Sequence, residues 1–115
     1  MSEVKLNKSE IKEAWGKAFV DLCRHEFIEL YRGFIRVQLI SPLEYGEGEN
    51  KGKISYIDLR EPTGDDLDIV DEGKGPLGKA WRLVAACTET PENVVRRIGS
   101  RDLARCSVVT QLFLG

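Results

Sequence analysis

The spacing of apolar residues changes twice along this chain, and that double change limits the fold more than any single motif. Ile11, Trp15, Ala18, Phe19, Leu22, Cys23, Phe27, Leu30, Tyr31 and Phe34 recur mostly three or four apart. That is helical spacing held over about six turns. From Ile35 the pattern alternates, with Ile35, Val37 and Leu39 set against Arg36 and Gln38. It alternates again in "KISYIDL", where Ser55, Ile57 and Leu59 oppose Ile54, Tyr56 and Asp58. After Pro62 the helical period returns. The order predicts an α+β fold: an N-terminal helix, a β-hairpin at 35–60, then a cluster of three or four short helices. A chain of 115 residues suits one domain. Residues 1–34 read as an N-terminal helical extension and 35–115 as the hairpin with its helices.

Local punctuation agrees with this division. Ser9 suits an N-cap, and Asn7 with Glu10 offers an alternative start of the capping-box type. The glycine-rich "GEGENKG" (46–52) is the hairpin connection. Pro42 removes a ladder donor, so the first hairpin strand is expected at an edge or bulged there. In "GPLGKAWRLVAACTE", Leu77, Ala80, Trp81, Val84 and Cys87 share one helical face. Thr90 suits an N-cap before Pro91 at the first helical position, with Gly99 just past the end. A last helix begins at Ser100 and aligns Leu103, Cys106, Val109 and Phe113.

"REPTGDDLDI" (60–69) poses the main chemical question, because Asp65, Asp66, Asp68 and Asp71 crowd one short stretch. A hard cation would need their carboxylates to converge. Leu67, Ile69 and Val70 interrupt the cluster and favour burial instead. Pro62 blocks helix before it, Thr63 can cap, and Asp66 falls three residues on, as in a short capping box. Acidic side chains also suit the positive end of the helix dipole. The stretch reads as a helix start, with no metal and no cofactor expected.

Other catalytic constellations are equally thin, and no enzyme activity is expected. His25 is the only histidine, which excludes sites that need two. Cys23 and His25 are two apart, a spacing that does not face on a helix. "GKGPLGKAW" lacks the ending of a phosphate loop. Cys23, Cys87 and Cys106 are an odd number at wide spacing, which fits reduced thiols in a cytoplasm. No apolar run approaches the roughly 20 residues that span a bilayer. Acidic residues outnumber basic ones ten to three over 37–73, and basic ones lead seven to three over 74–115. Folded domains commonly mix signs in this way. Arg96, Arg97, Arg101 and Arg105 near a short turn at Gly99 allow an alternative, a small helix-turn-helix DNA-binding regulator encoded in a prophage. The sequence pI of about 5.5 argues against nucleic acid as a partner.

Residues 37 to 115 resemble the tail assembly chaperones of Mu-like, contractile-tailed bacteriophages. The resemblance rests on "VQLISPLEY", the distinctive "ISYIDLREPTGDDL", the helix "AWRLVAACTETPENVV", the aspartate of "SRDLAR" and the terminal "VVTQLFL", in that order. Leu59, Arg60, Glu61, Pro62, Thr63 and Asp66 match that family's strand-to-helix junction. The resemblance implies a non-enzymatic protein of the infected host's cytoplasm, absent from the mature virion. Its implied partner is the tape measure protein, held soluble before tail tube polymerisation, and many such phages also make a longer frameshifted form. Family members begin near the first strand, so the aromatic segment ahead of it is a departure.

A helical partner needs a groove that accepts an amphipathic helix. Trp81 and Val84 on one helix, with Leu112 and Phe113 on another, are the candidate partner-binding residues. Trp15, Phe19, Leu22, Phe27 and Tyr31 form a wide N-terminal face that needs a cover. A symmetric homo-oligomer would supply one, and folding back over the chain's own hairpin would supply another.

Overall fold

A computed structural model describes residues 4–46, 48–71 and 75–114, leaving aside the side chains of residues 50 and 69–79. The expected places of the Ile69, Val70, Asp71 and Leu77 side chains lie outside the described residues. The expected α+β order is present. Helix α1 (Lys8–Ala14) is followed by a 3-10 helix (Lys17–Arg24) and by β1 (Ile28–Leu30), β2 (Ile35–Tyr45) and β3 (Gly52–Leu59). A short 3-10 turn at Gly48–Asn50 lies within the connection between β2 and β3. Then come α2 (Gly64–Asp71), α3 (Gly75–Cys87), α4 (Glu92–Val95) and α5 (Ser100–Phe113).

The continuous N-terminal helix is corrected. Asn7 caps α1 in a reciprocal box, its side chain accepting from the Glu10 N–H at 2.9 Å while Glu10 accepts from the Asn7 N–H at 3.2 Å. The helix then stops at Ala14, and Gly16 follows at φ 110°, a backbone state that costs a glycine little. Leu30 and Ile28 belong to β1, which pairs antiparallel with β2 in the register Ile28↔Val37 and Leu30↔Ile35. The expected hairpin is thus two strands of a three-stranded sheet ordered β1-β2-β3. β2 is its central strand and tolerates Pro42 through a register break between Gln38 and Leu43.

One face of the sheet, carrying Ile28, Leu30, Ile35, Val37, Ile57 and Leu59, is buried. Leu83, Val84 and Cys87 of α3, Val94 and Val95 of α4, and Leu103, Cys106 and Val109 of α5 complete the core. Ile11 and Leu22 are buried in the same cluster, so the segment ahead of the sheet is part of the core. The opposite face pairs Arg36 with Asp58 through two hydrogen bonds of 2.8 and 3.1 Å. The Arg36 guanidinium also lies 3.9 Å from the Tyr56 ring centroid.

Candidate functional site: the β3 edge and its helical junction

The chain leaves β3 through Arg60, whose side chain ties three elements together. Its Nη1 donates to Asp66 Oδ2 at 3.0 Å, and its Nη2 donates to the Ala86 carbonyl in the last turn of α3 at 2.8 Å. A cation at a helix C-terminus satisfies a carbonyl that has no partner within the helix. Asp66 accepts from the Thr63 N–H at 2.8 Å, while the Asp66 N–H donates to Thr63 Oγ1 at 3.3 Å. That is the reciprocal cap predicted at the start of α2. The Arg60 hydrogen bond, followed by that from the Thr63 backbone, holds the Asp66 carboxyl down at about 2 against an ordinary 3.8. This carboxylate therefore works as a brace for the junction. Among the described residues, no three His, Cys, Asp or Glu side chains converge on a position for a metal ion.

The direction of the β3 backbone follows from its neighbours. The Gln38 N–H donates to the Phe27 carbonyl at 2.8 Å, and the Tyr31 N–H donates to the Phe34 carbonyl at 2.9 Å. Backbone groups alternate sides along a strand, so Ile35 and Val37 address β3, where Leu59 and Ile57 are their partners. Tyr56, Asp58 and Arg60 consequently point away from the sheet. The Arg60 N–H agrees, donating outward to the Cys87 carbonyl at 2.7 Å. Beyond that bond, no backbone group of the described residues pairs with Tyr56 or Asp58 on this side. An open groove of about 620 Å³ is lined by Lys53, Tyr56 and Asp58 of β3, by Thr88 and Glu89 after α3, and by Phe34.

A second brace joins α5 to the break in β2. Asp102 is 2% exposed, and its two carboxylate oxygens accept from the Ile40 and Ser41 N–H groups at 2.6 and 3.0 Å. One turn on, Arg105 Nη1 donates to the Gln38 carbonyl at 3.0 Å. Together they satisfy backbone groups of β2 at and beside the register break. This explains physically why a proline-bearing strand and the aspartate of "SRDLAR" occur together.

The candidate partner-binding residues are split by depth. Val84 is fully buried, whereas Trp81 and Leu112 are half-buried. Phe113 packs its ring 6.0 Å from that of Trp15 and 5.8 Å from that of Phe19. The residues expected for self-association do not share one helical face. Trp15 caps the end of α1 and donates from Nε1 to the Tyr31 carbonyl at 2.8 Å. Phe19 and buried Leu22 lie on the 3-10 helix, while Phe27 and Tyr31 flank β1. Leu22 lies in the buried core, and Trp15, Phe19 and Phe27 pack against it.

Of the arginines of the DNA-binding alternative, Arg96, Arg97 and Arg101 are exposed and Arg105 is half-buried. Arg97 Nη1 donates to the Glu44 carbonyl at 3.1 Å, and Arg105 donates to β2 as described. The Arg96 guanidinium lies 4.6 Å from the Trp81 ring centroid. α4 is a single turn of 4 residues. Sequence reasoning missed β1, the outward β3 edge and the targets of Asp102. β1 has only 3 residues, too few to show a period, and the other two depend on distant partners.

The family model described as phage tail assembly chaperone proteins, E, or 41 or 14, matches residues 36–115. No curated protein and no solved structure matches the chain. The match begins at β2 and takes in the Arg60–Asp66 junction and the Asp102 brace.

Proposed function

Because the chain belongs to the phage tail assembly chaperone family, we propose that it binds the tape measure protein and keeps it soluble until the tail tube polymerises. The observation that carries this reading is the family match over 36–115, which runs from the start of β2 through β3 and α2 to α5. On this reading the protein is non-catalytic, acts in the host bacterial cytoplasm and leaves before the virion is complete. Asp66 and Asp102, two of its acidic groups, are engaged in bracing the fold. Among the described residues no helix is long and apolar enough to cross a membrane.

A long helical partner exposes apolar stripes that aggregate, and a chaperone covers them with apolar surface of its own. Half-buried Trp81 and Leu112 provide such surface. Buried Val84 holds the Trp81 helix on the core, and Phe113 seats the end of α5 on the N-terminal aromatic residues. Tail tube subunits must later displace the chaperone, so each contact should be modest and coverage should come from many copies. The test is co-expression with the long reading frame expected downstream of the gene. A partner that moves from the pellet to the supernatant with this chain supports the reading. A partner equally insoluble with and without it, and no isolable complex, refutes it.

A further inference from the structure

The outward edge of β3 is the feature that neither the core nor the junction explains. Tyr56 and Asp58 direct both N–H and C=O away from the sheet, and no described backbone group takes them. Edge strands left open in this way pair readily with other chains, and many proteins cover or charge them. Here the edge opens into the groove of about 620 Å³. At its far end Cys87 has already begun the pairing, through its carbonyl to the Arg60 N–H at 2.7 Å.

We propose that this edge receives an extended segment of the assembly partner, which adds as a fourth strand beside β3. The proposal rests on the chaperone reading for the source of the segment. Its chemistry comes from the edge itself, because alternating donors and acceptors along a strand are matched by an extended backbone. The stretch from Lys53 to Arg60 spans about 23 Å at ~3.3 Å per residue. Exposed Lys53 lines one end and exposed Glu89 stands near the other. The complementary segment therefore carries an acidic residue toward the start of β3 and a basic one toward its end. Between them, an apolar side chain on the outer face meets the Tyr56 ring, which is 41% exposed.

A second copy of this chain fits the same edge less well. It would bring its own Cys87–Thr90 wall beside its β3, and two walls would have to share one gap. An isolated extended segment brings none.

The experiment uses the full isotope-labelled chain, with and without the co-purified long partner, and measures amide hydrogen exchange residue by residue. The Tyr56 and Asp58 amides should exchange rapidly in the free chain and become protected in the complex. Ile57 and Leu59, paired with β2, should be protected in both states and report that the fold is intact. Tyr56→Pro removes an outward donor without removing a β2 ladder bond, and Tyr56→Ala removes the ring alone. The proline variant should bind at least about tenfold more weakly than the alanine variant. A complex that leaves Tyr56 and Asp58 exchange unchanged, with both variants binding alike, overturns the edge proposal and leaves the chaperone reading standing. Protection that grows with chain concentration in the absence of partner overturns it in favour of a second copy. Failure of the unaltered chain to form any complex removes the chaperone reading and this proposal together. If Tyr56→Pro unfolds, the exchange pattern of the unaltered chain decides.

Discussion

Two aspartates brace this protein, and they do so under opposite conditions. Asp66 lies at the exposed start of α2, accepting from the Thr63 N–H and from Arg60 three and six residues away. Asp102 is buried at the first turn of α5 and accepts from Ile40 and Ser41, 62 and 61 residues away. The first connects neighbours in sequence and organises a junction. The second holds two distant elements together where a proline has broken the ladder. An exposed brace is replaceable in part by water, whereas a buried one is not. The two sites should therefore differ in energy and in how readily they open.

The largest difference should come from alanine at each position. Asp102→Ala leaves two backbone donors without their acceptor and should cost about 3 kcal/mol in a denaturant titration. Asp66→Ala removes a helix cap and should cost about 1 kcal/mol. Equal losses would break the contrast between a buried and an exposed brace. Arg60→Ala should resemble Asp66→Ala, and the double variant should lose less than the sum, since the two groups share one interaction.

Acid tests the Asp66 brace next. The Asp66 carboxyl is held at about 2 in the folded chain against an ordinary 3.8. A depressed carboxyl stabilises the fold above its unfolded value, and that contribution fades as pH falls from about 4 toward 2. Thermal melts across that window should show a component absent from Asp66→Asn. An identical acid profile in the variant would mean that Asp66 contributes nothing there.

The smallest effect concerns rates of opening, read by two buried cysteines. Cys87 adjoins the Arg60 junction through its carbonyl, and Cys106 lies one helical turn beyond Asp102. Burial pushes both thiols up to about 12, so each reacts only when its region opens. Exposed Cys23 should be alkylated first, then Cys87, then Cys106, because regions with fewer buried contacts open more often. Mass spectrometry after timed labelling gives the order directly. Cys106 reacting before Cys87 would reverse the assigned stabilities.

The same contrast accounts for what the sequence disclosed. Asn7 with Glu10 and Thr63 with Asp66 are three apart, so their caps were legible from spacing alone. The alternating runs of β2 and β3 were legible because one face is buried. Asp102 was visible as a residue but not as a brace, since its partners are two backbone donors across the fold. The N-terminal segment misled because Phe27, Leu30 and Tyr31 continue a helical spacing past Gly16, where the backbone turns away. The period cannot show such a break, and β1 is secured by pairing with β2. At the candidate site, the junction residues were readable in order, whereas the open β3 edge follows from pairing on the other side of the sheet.

The proposed function has this chain keep a long assembly partner in solution. Its most direct test is the soluble fraction of the downstream reading frame's product, measured as the amount of co-expressed chain is raised. Solubility should climb steadily with chain supply and level off only at several copies per partner, with both proteins sedimenting together. A soluble fraction independent of chain supply, with the two proteins sedimenting apart, would contradict it.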